Sequence, residues 1–191
     1  MLHQAIMQYK NEYGSFPPCV DAPSGAILKH VQRIFPRMPV ANFNAAGAAE
    51  IQPNTALFKW LSGYASDDPT NPLNPNGKAK KIFDFDTGRV SSNQFAPPSK
   101  PSSPYIYIDS SHYGVYDATA TAPAGPFGGI YYSHRVPTRS APTNFIDPTQ
   151  PYANPDTFQI ICAGRDEKFG TADDMSNFWP GTRGDYSDGL K

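Results

Sequence analysis

The chain is short of charge and short of cysteine. Only 17% of its 191 residues are Asp, Glu, Lys or Arg, and the signs nearly cancel to a net charge of −1. A nucleic acid or an anionic membrane is met by a basic surface, so neither is expected as a partner. Two cysteines, Cys19 and Cys162, allow one disulfide at most. An oxidising compartment would favour that bridge, and two small buried thiols are the other reading. No Cys-x-x-Cys occurs, and His3, His30, His112 and His134 are scattered without zinc-ligand spacing. Neither a Gly-x-Ser-x-Gly elbow nor a P-loop is present, and nothing flanks Cys162 to make it half of a Cys–His nucleophile pair. No apolar run has the length of a bilayer span, and no signal peptide is recognisable. The helical pattern begins at once, at Leu2, which reads as a chain whose upstream segment is missing.

What the chain has in quantity is turn formers and aromatics. It carries 21 prolines and 15 glycines, with 13% aromatic residues spread along its length. That load argues against a helical bundle and for short elements joined by ordered loops. The length suits one domain, and no internal repeat marks a second.

Apolar periodicity predicts a helix over 2–13. Leu2, Ile6, Tyr9 and Tyr13 share a stripe beside Ala5, while Gln4, Gln8, Lys10, Asn11 and Glu12 take the other face. Gly14 stops it and Pro17-Pro18 forbids continuation. A second helix is expected from a Ser24 cap through Ile27, Leu28, Val31, Ile34 and Phe35 to Pro36, and a third over 53–62 carrying Leu57, Phe58, Trp60 and Leu61. An Ala-, Asn- and Gly-rich connection joins them. Past Gly63, residues 67–77 are a run of turn formers. Four segments rich in Ile, Phe and Tyr then read as strands: 82–85, 105–108, 130–133 and 158–162. Helices first and antiparallel strands after give an α+β fold with the first helix across a small sheet. The expected division of the single domain is a spine helix at 2–13, a helical and loop insertion at 18–80, a sheet region at 81–163, and a loop and tail at 164–191.

One loop concentrates chemistry. Asp166, Asp173 and Asp174 follow the last predicted strand, with Gly164 and Gly170 among them. Calcium takes six to eight oxygens, several from carboxylates, and glycines let a backbone fold around an ion. The spacing is not that of an EF-hand, and an irregular loop supplies magnesium's octahedron poorly. The residues alone allow a plainer reading, in which Asp173-Asp174 marks a solvated turn or caps a short helix at Met175. A further acidic pair, Asp185 and Asp188, reads as part of a flexible tail.

Both ends of the chain resemble one family. The stretch Tyr9-Lys10-Asn11-Glu12-Tyr13-Gly14-Ser15-Phe16-Pro17-Pro18 is similar to the end of the long pilin helix and the turn after it. The stretch from Phe158 through Cys162-Ala163-Gly164-Arg165-Asp166 to Gly170-Thr171-Ala172-Asp173-Asp174-Met175-Ser176-Asn177-Phe178 is similar to the last strand and calcium loop of the type II secretion major pseudopilins. The middle, including Ala56 to Gly63 and Pro104 to Asp109, resembles planctomycete-type prepilin-like proteins. The departures are Cys162 where the family has Ser, Glu167 where it has a small residue, Met175 for Ile, and a longer segment between residues 18 and 55.

The resemblance implies a soluble pilin-like head lacking its N-terminal membrane helix, and a structural calcium ion held by Asp166, Asp173 and Asp174 with backbone carbonyls near Cys162 and Phe169. It implies a filament subunit of a type II secretion pseudopilus or type IV pilus-like fibre, not an enzyme. The implied partners are copies of itself, other pseudopilins and, through the missing helix, an inner-membrane assembly platform. The implied location is periplasmic or extracellular. The alternative is a surface-exposed binding module that recognises glycan or protein through aromatic loops, suggested by Tyr105, Tyr107, Tyr113, Tyr116, Tyr131 and Tyr132.

Overall fold

The computed structural model describes residues 1–21, 25–63, 80–98, 103–116 and 133–190. The expected Ser24 cap, the turn run at 67–77, Tyr131, Tyr132 and most of the strand expected at 130–133 lie outside these residues. The chain, expected as one domain, divides into two compact units, Met1–Phe95 and Ala96–Lys191. Short helices and two small antiparallel sheets make up the described residues, and no helix among them is long and apolar enough to cross a membrane.

In the first unit, helix α1 spans Leu2–Tyr13 and buries Ala5, Ile6 and Tyr9, the stripe its periodicity marks out. Gly14 ends it in the left-handed region at φ 79°, its N–H returning to the Lys10 carbonyl, a cap that costs a residue with a Cβ. Helix α2 spans Ala26–Ile34 and starts differently from the expectation. Its N-cap is Gly25, and the side chain of Asp21 accepts from the Ile27 N–H at 3.0 Å. The connection after α2 holds a short helix that composition alone did not mark, α3 at Ala45–Ala49, capped by Asn44 accepting from the Gly47 N–H. Helix α4 is Ala56–Leu61, shorter than expected, because Pro53 and Asn54 sit in a turn that Thr55 ties to Gln52 and Glu50.

Three aromatic residues join these helices. His30 of α2 lies between the Tyr9 hydroxyl at 2.8 Å and the Ser15 hydroxyl at 3.2 Å, and meets Trp60 of α4 edge-on at 4.9 Å. Trp60 donates its indole N–H to the Pro18 carbonyl at 2.8 Å. Trp60 and Tyr9 are fully buried, so their polar atoms must be paired inside, and they are. A second cluster gathers Phe58, Phe83, Phe85 and Phe95.

The segment 82–85 is not a strand, contrary to expectation. Ile82 and Phe83 both donate to the Leu61 carbonyl, so they close the end of α4 instead of pairing with a neighbour. The strands nearby are β1, Val90–Ser91, and β2, Gln94–Phe95, a hairpin whose Ser92 and Asn93 both have positive φ, 50° and 62°. Two left-handed central residues are what a type I′ turn requires.

In the second unit, β3 (Ile106–Asp109), β4 (Phe158–Cys162) and β5 (Met175–Ser176) form an antiparallel sheet in that order. Ile106 faces Ile161, Asp109 faces Phe158, and Cys162 faces Met175. Every residue of β3 and β4 is buried. The ladder continues through a side chain: Asn177 accepts from the Ile160 N–H at 2.8 Å and donates to the Phe158 carbonyl. Buried Gln159 accepts from the His134 N–H and donates to the carbonyls of His134 and Ala153, which fixes the loop strands beside β4. Met175 lies in β5, not at the start of a helix. The tail expected to be flexible instead forms helix α5, Arg183–Gly189.

Candidate metal centre

The acidic loop leaves β4 at Cys162 and returns as β5 at Met175, so the strand pairing of Cys162 with Met175 closes it at its base. Inside this closure Asp173 and Asp174 do different work. Asp173 turns toward the start of the loop, where one carboxylate oxygen accepts from the Arg165 N–H and from the Asp166 N–H at 3.1 Å. Its other oxygen accepts from the Thr171 hydroxyl at 2.7 Å. The Thr171 bond first, then those amides, hold its carboxyl below the usual range. Gly164 is required here, because a Cβ at 164 would overlap the Asp173 carboxyl group and backbone oxygen.

Asp174 turns inward and is fully buried. One oxygen accepts from the Gly170 N–H at 2.7 Å; among the described residues the other has no partner. Burial pushes this carboxyl up to about 7; the Gly170 bond and the nearby Arg183 oppose that rise, and Asp173 and Asp166 add to it. Gly170 has φ 88° and Glu167 φ 60°, so the loop turns twice through the left-handed region. Asp166 accepts from the Lys168 N–H at 2.8 Å and stays at the surface.

The three aspartates share a loop without converging. No choice of one oxygen from each of Asp166, Asp173 and Asp174 puts all three within 4.8 Å of one another. Asp173 and Asp174 are the pair held in place, one by amides and one by burial. The residues expected to lend carbonyls, Cys162 and Phe169, are both buried. Cys19 and Cys162 are buried thiols and not a disulfide. Burial, and then the charges of Asp174 and Asp173, push the Cys162 thiol up to about 11, the reverse of what a nucleophilic cysteine needs.

One neighbour of the loop escaped the sequence reading. Arg183, at the start of α5, donates its backbone N–H to the Asp174 carbonyl at 2.7 Å and lays its guanidinium over Phe145. Its Nη1 is buried and, like the inner oxygen of Asp174, has no partner among the described residues. Asp185 does not reach the loop: with Thr182 it forms a reciprocal capping box at the start of α5. Serine or threonine followed three residues later by an acid was a signal for that cap. Elsewhere in the unit, His112 and Asp109 form a buried pair, Nδ1 to carboxylate at 2.6 Å, at the end of β3. The histidine spacing carried no hint of it, since its partner is an aspartate three residues earlier.

No protein family, curated protein or solved structure matches this chain.

Proposed function

We propose that this chain is the outward-facing head of a filament subunit of the pseudopilus or type IV pilus-like class, working by assembly and not by bond-making. In this reading the fold is pilin-like, α1 is the continuation of a longer spine helix, and the filament stands on the periplasmic or extracellular side of an inner membrane. Its partners there are copies of itself, related subunits and a membrane assembly platform. The acidic loop between β4 and β5 binds a structural calcium ion.

The observation that carries the reading is the buried, half-satisfied carboxylate of Asp174. An orphaned carboxylate oxygen in the interior costs free energy, and a bound cation would supply the partner it lacks among the described residues. The donors within the loop are hard oxygens, as calcium prefers. Arg183 is a competing positive charge, set against the carboxylates of Asp174 and Asp173. Asp174 and Asp173 would hold the ion, with Asp166 drawn in from the surface. Bound there, the ion would neutralise the cluster and fasten the loop to the sheet, so stability would rise with calcium by simple linkage.

The test has two parts. Calcium should raise the melting temperature of the chain, and a chelator should reverse the rise; a melting curve indifferent to both would remove the metal site. The complete open reading frame, expressed with a filament assembly system, should give fibres visible by immunoelectron microscopy. A product that remains monomeric in the membrane would overturn the filament reading whatever calcium does.

A further inference from the structure

A cation is already built in beside the acidic loop. Arg183 opens α5, and backbone contacts fix it there. Its N–H donates to the Asp174 carbonyl at 2.7 Å, the N–H of Gly184 donates to the Ala172 carbonyl at 2.6 Å, and Thr182 bridges to Met175 of β5. A Cβ at 184 would meet the Ala172 oxygen at 3.1 Å, so the glycine lets the helix start come this close to the loop.

The guanidinium does not close on the carboxylate. It lies over the Phe145 ring, 4.5 Å from its centre, and among the described residues no carboxylate forms an ion pair with it. Its Nη1 and the inner oxygen of Asp174 are both buried, and neither has a hydrogen-bond partner among the described residues. Asp185, two residues along, is taken up by the N–H and hydroxyl of Thr182. The Arg183 charge still reaches Asp174, where it opposes the rise that burial imposes on that carboxyl. Charges act at such range without a bond, because Coulomb energy falls only as the inverse of distance where water screens little.

We infer, resting on the calcium reading of the loop, that Arg183 is a tethered competitor that sets how tightly the loop holds its ion. In the ion-free loop the guanidinium offsets part of the buried Asp174 charge. Held on Phe145, it leaves the carboxylate oxygen unbonded and repels the incoming ion without plugging the site. That repulsion scales with the ion's own charge: at one distance a divalent ion meets twice, and a trivalent ion three times, what a monovalent ion meets.

Isothermal titration of the full chain with calcium and with terbium tests the assignment. Arg183→Gln should tighten calcium roughly tenfold, the scale of one partly screened charge acting on a divalent ion, and should tighten terbium more. Arg183→Met keeps an apolar stem for Phe145 and should act like Arg183→Gln, so either variant decides if the other fails to fold. Arg183→Lys keeps the charge and should stay near the parent. A change that merely disturbed α5 would weaken both ions and would not rank them by charge. Melting gives a second readout. In chelator Arg183→Gln should melt below the parent, saturating calcium should narrow or reverse the gap, and adding Asp174→Asn should shrink the gap seen in chelator. Calcium binding to neither the parent nor the charge-removing variants would sink the metal site, and the competitor with it. Calcium binding to the parent and to a folded Arg183→Gln equally well would keep the metal site and overturn the role of Arg183.

Discussion

Gly164 lies directly against Asp173, with no room at position 164 for a Cβ beside the aspartate's carboxyl group and backbone oxygen. That contact is what lets the Asp173 carboxylate reach the amides of Arg165 and Asp166 and pin the first turn of the acidic loop. Gly164→Ala should therefore force the two strands of the loop apart. The expected loss is about 1–3 kcal/mol, the range for overpacking a fitted site, measured by urea denaturation. A variant as stable as the parent would mean the loop adjusts freely and is not pre-formed.

Asp174→Asn should separate the metal from the fold. The amide keeps the shape and removes the charge, so calcium should no longer raise the melting temperature while the chain still unfolds cooperatively. Retained calcium stabilisation in this variant would move the ion away from Asp174.

The same residue sets a pH dependence in chelator. The Asp174 carboxyl rises from its ordinary 3.8 to about 7 in the folded chain, chiefly through burial. Between those values the folded state holds a proton that the unfolded state has released. Asp174's contribution to stability therefore falls as pH climbs from about 4 to about 7, and levels off above. Asp173 and Asp185, both held low, act in the opposite sense: their contribution is lost as pH drops below the ordinary carboxylate range. The difference in melting temperature between parent and Asp174→Asn, followed across this window, isolates the Asp174 term; a constant difference would mean that its carboxyl titrates normally.

In the first unit, Tyr9→Phe should cost about 1–3 kcal/mol. It removes the hydroxyl bonded to His30 and leaves an imidazole nitrogen buried without it. Trp60→Ala should cost more, about 3–5 kcal/mol, because a fully buried indole leaves a cavity as well as an unpaired Pro18 carbonyl. Equal effects of the two changes would show that the cluster collapses around the missing ring.

At the other end of the chain, Thr182→Ala should cost about 1 kcal/mol, as expected for a helix N-cap. Amide exchange should speed first at Asp185, whose N–H the Thr182 hydroxyl accepts. Protection unchanged at Asp185 would show that α5 is held by its packing alone.

The sequence by itself determined the elements that carry their own period or punctuation. Helix α1 could be read to the residue because its stripe ends at a glycine and two prolines. Strands β3 and β4 were legible within a residue because each is a short segment rich in Ile, Phe and Tyr bounded by turn formers. It also singled out the acidic loop, since three aspartates among glycines stand out in a chain this poor in charge. Two-residue strands such as β1, β2 and β5 have no period to detect, and only pairing with a neighbour defines them. Segment 82–85 had the composition of a strand, yet its first two amides went to the Leu61 carbonyl. Tertiary structure alone decided that Asp173 would be capped and Asp174 buried, although they are adjacent and chemically identical. Asp173 sits in the turn that follows Thr171 and faces the amides of Arg165 and Asp166, whereas Asp174, just before β5, faces the interior. Arg183 became a neighbour of the acidic loop through α5, whose position no local pattern encodes.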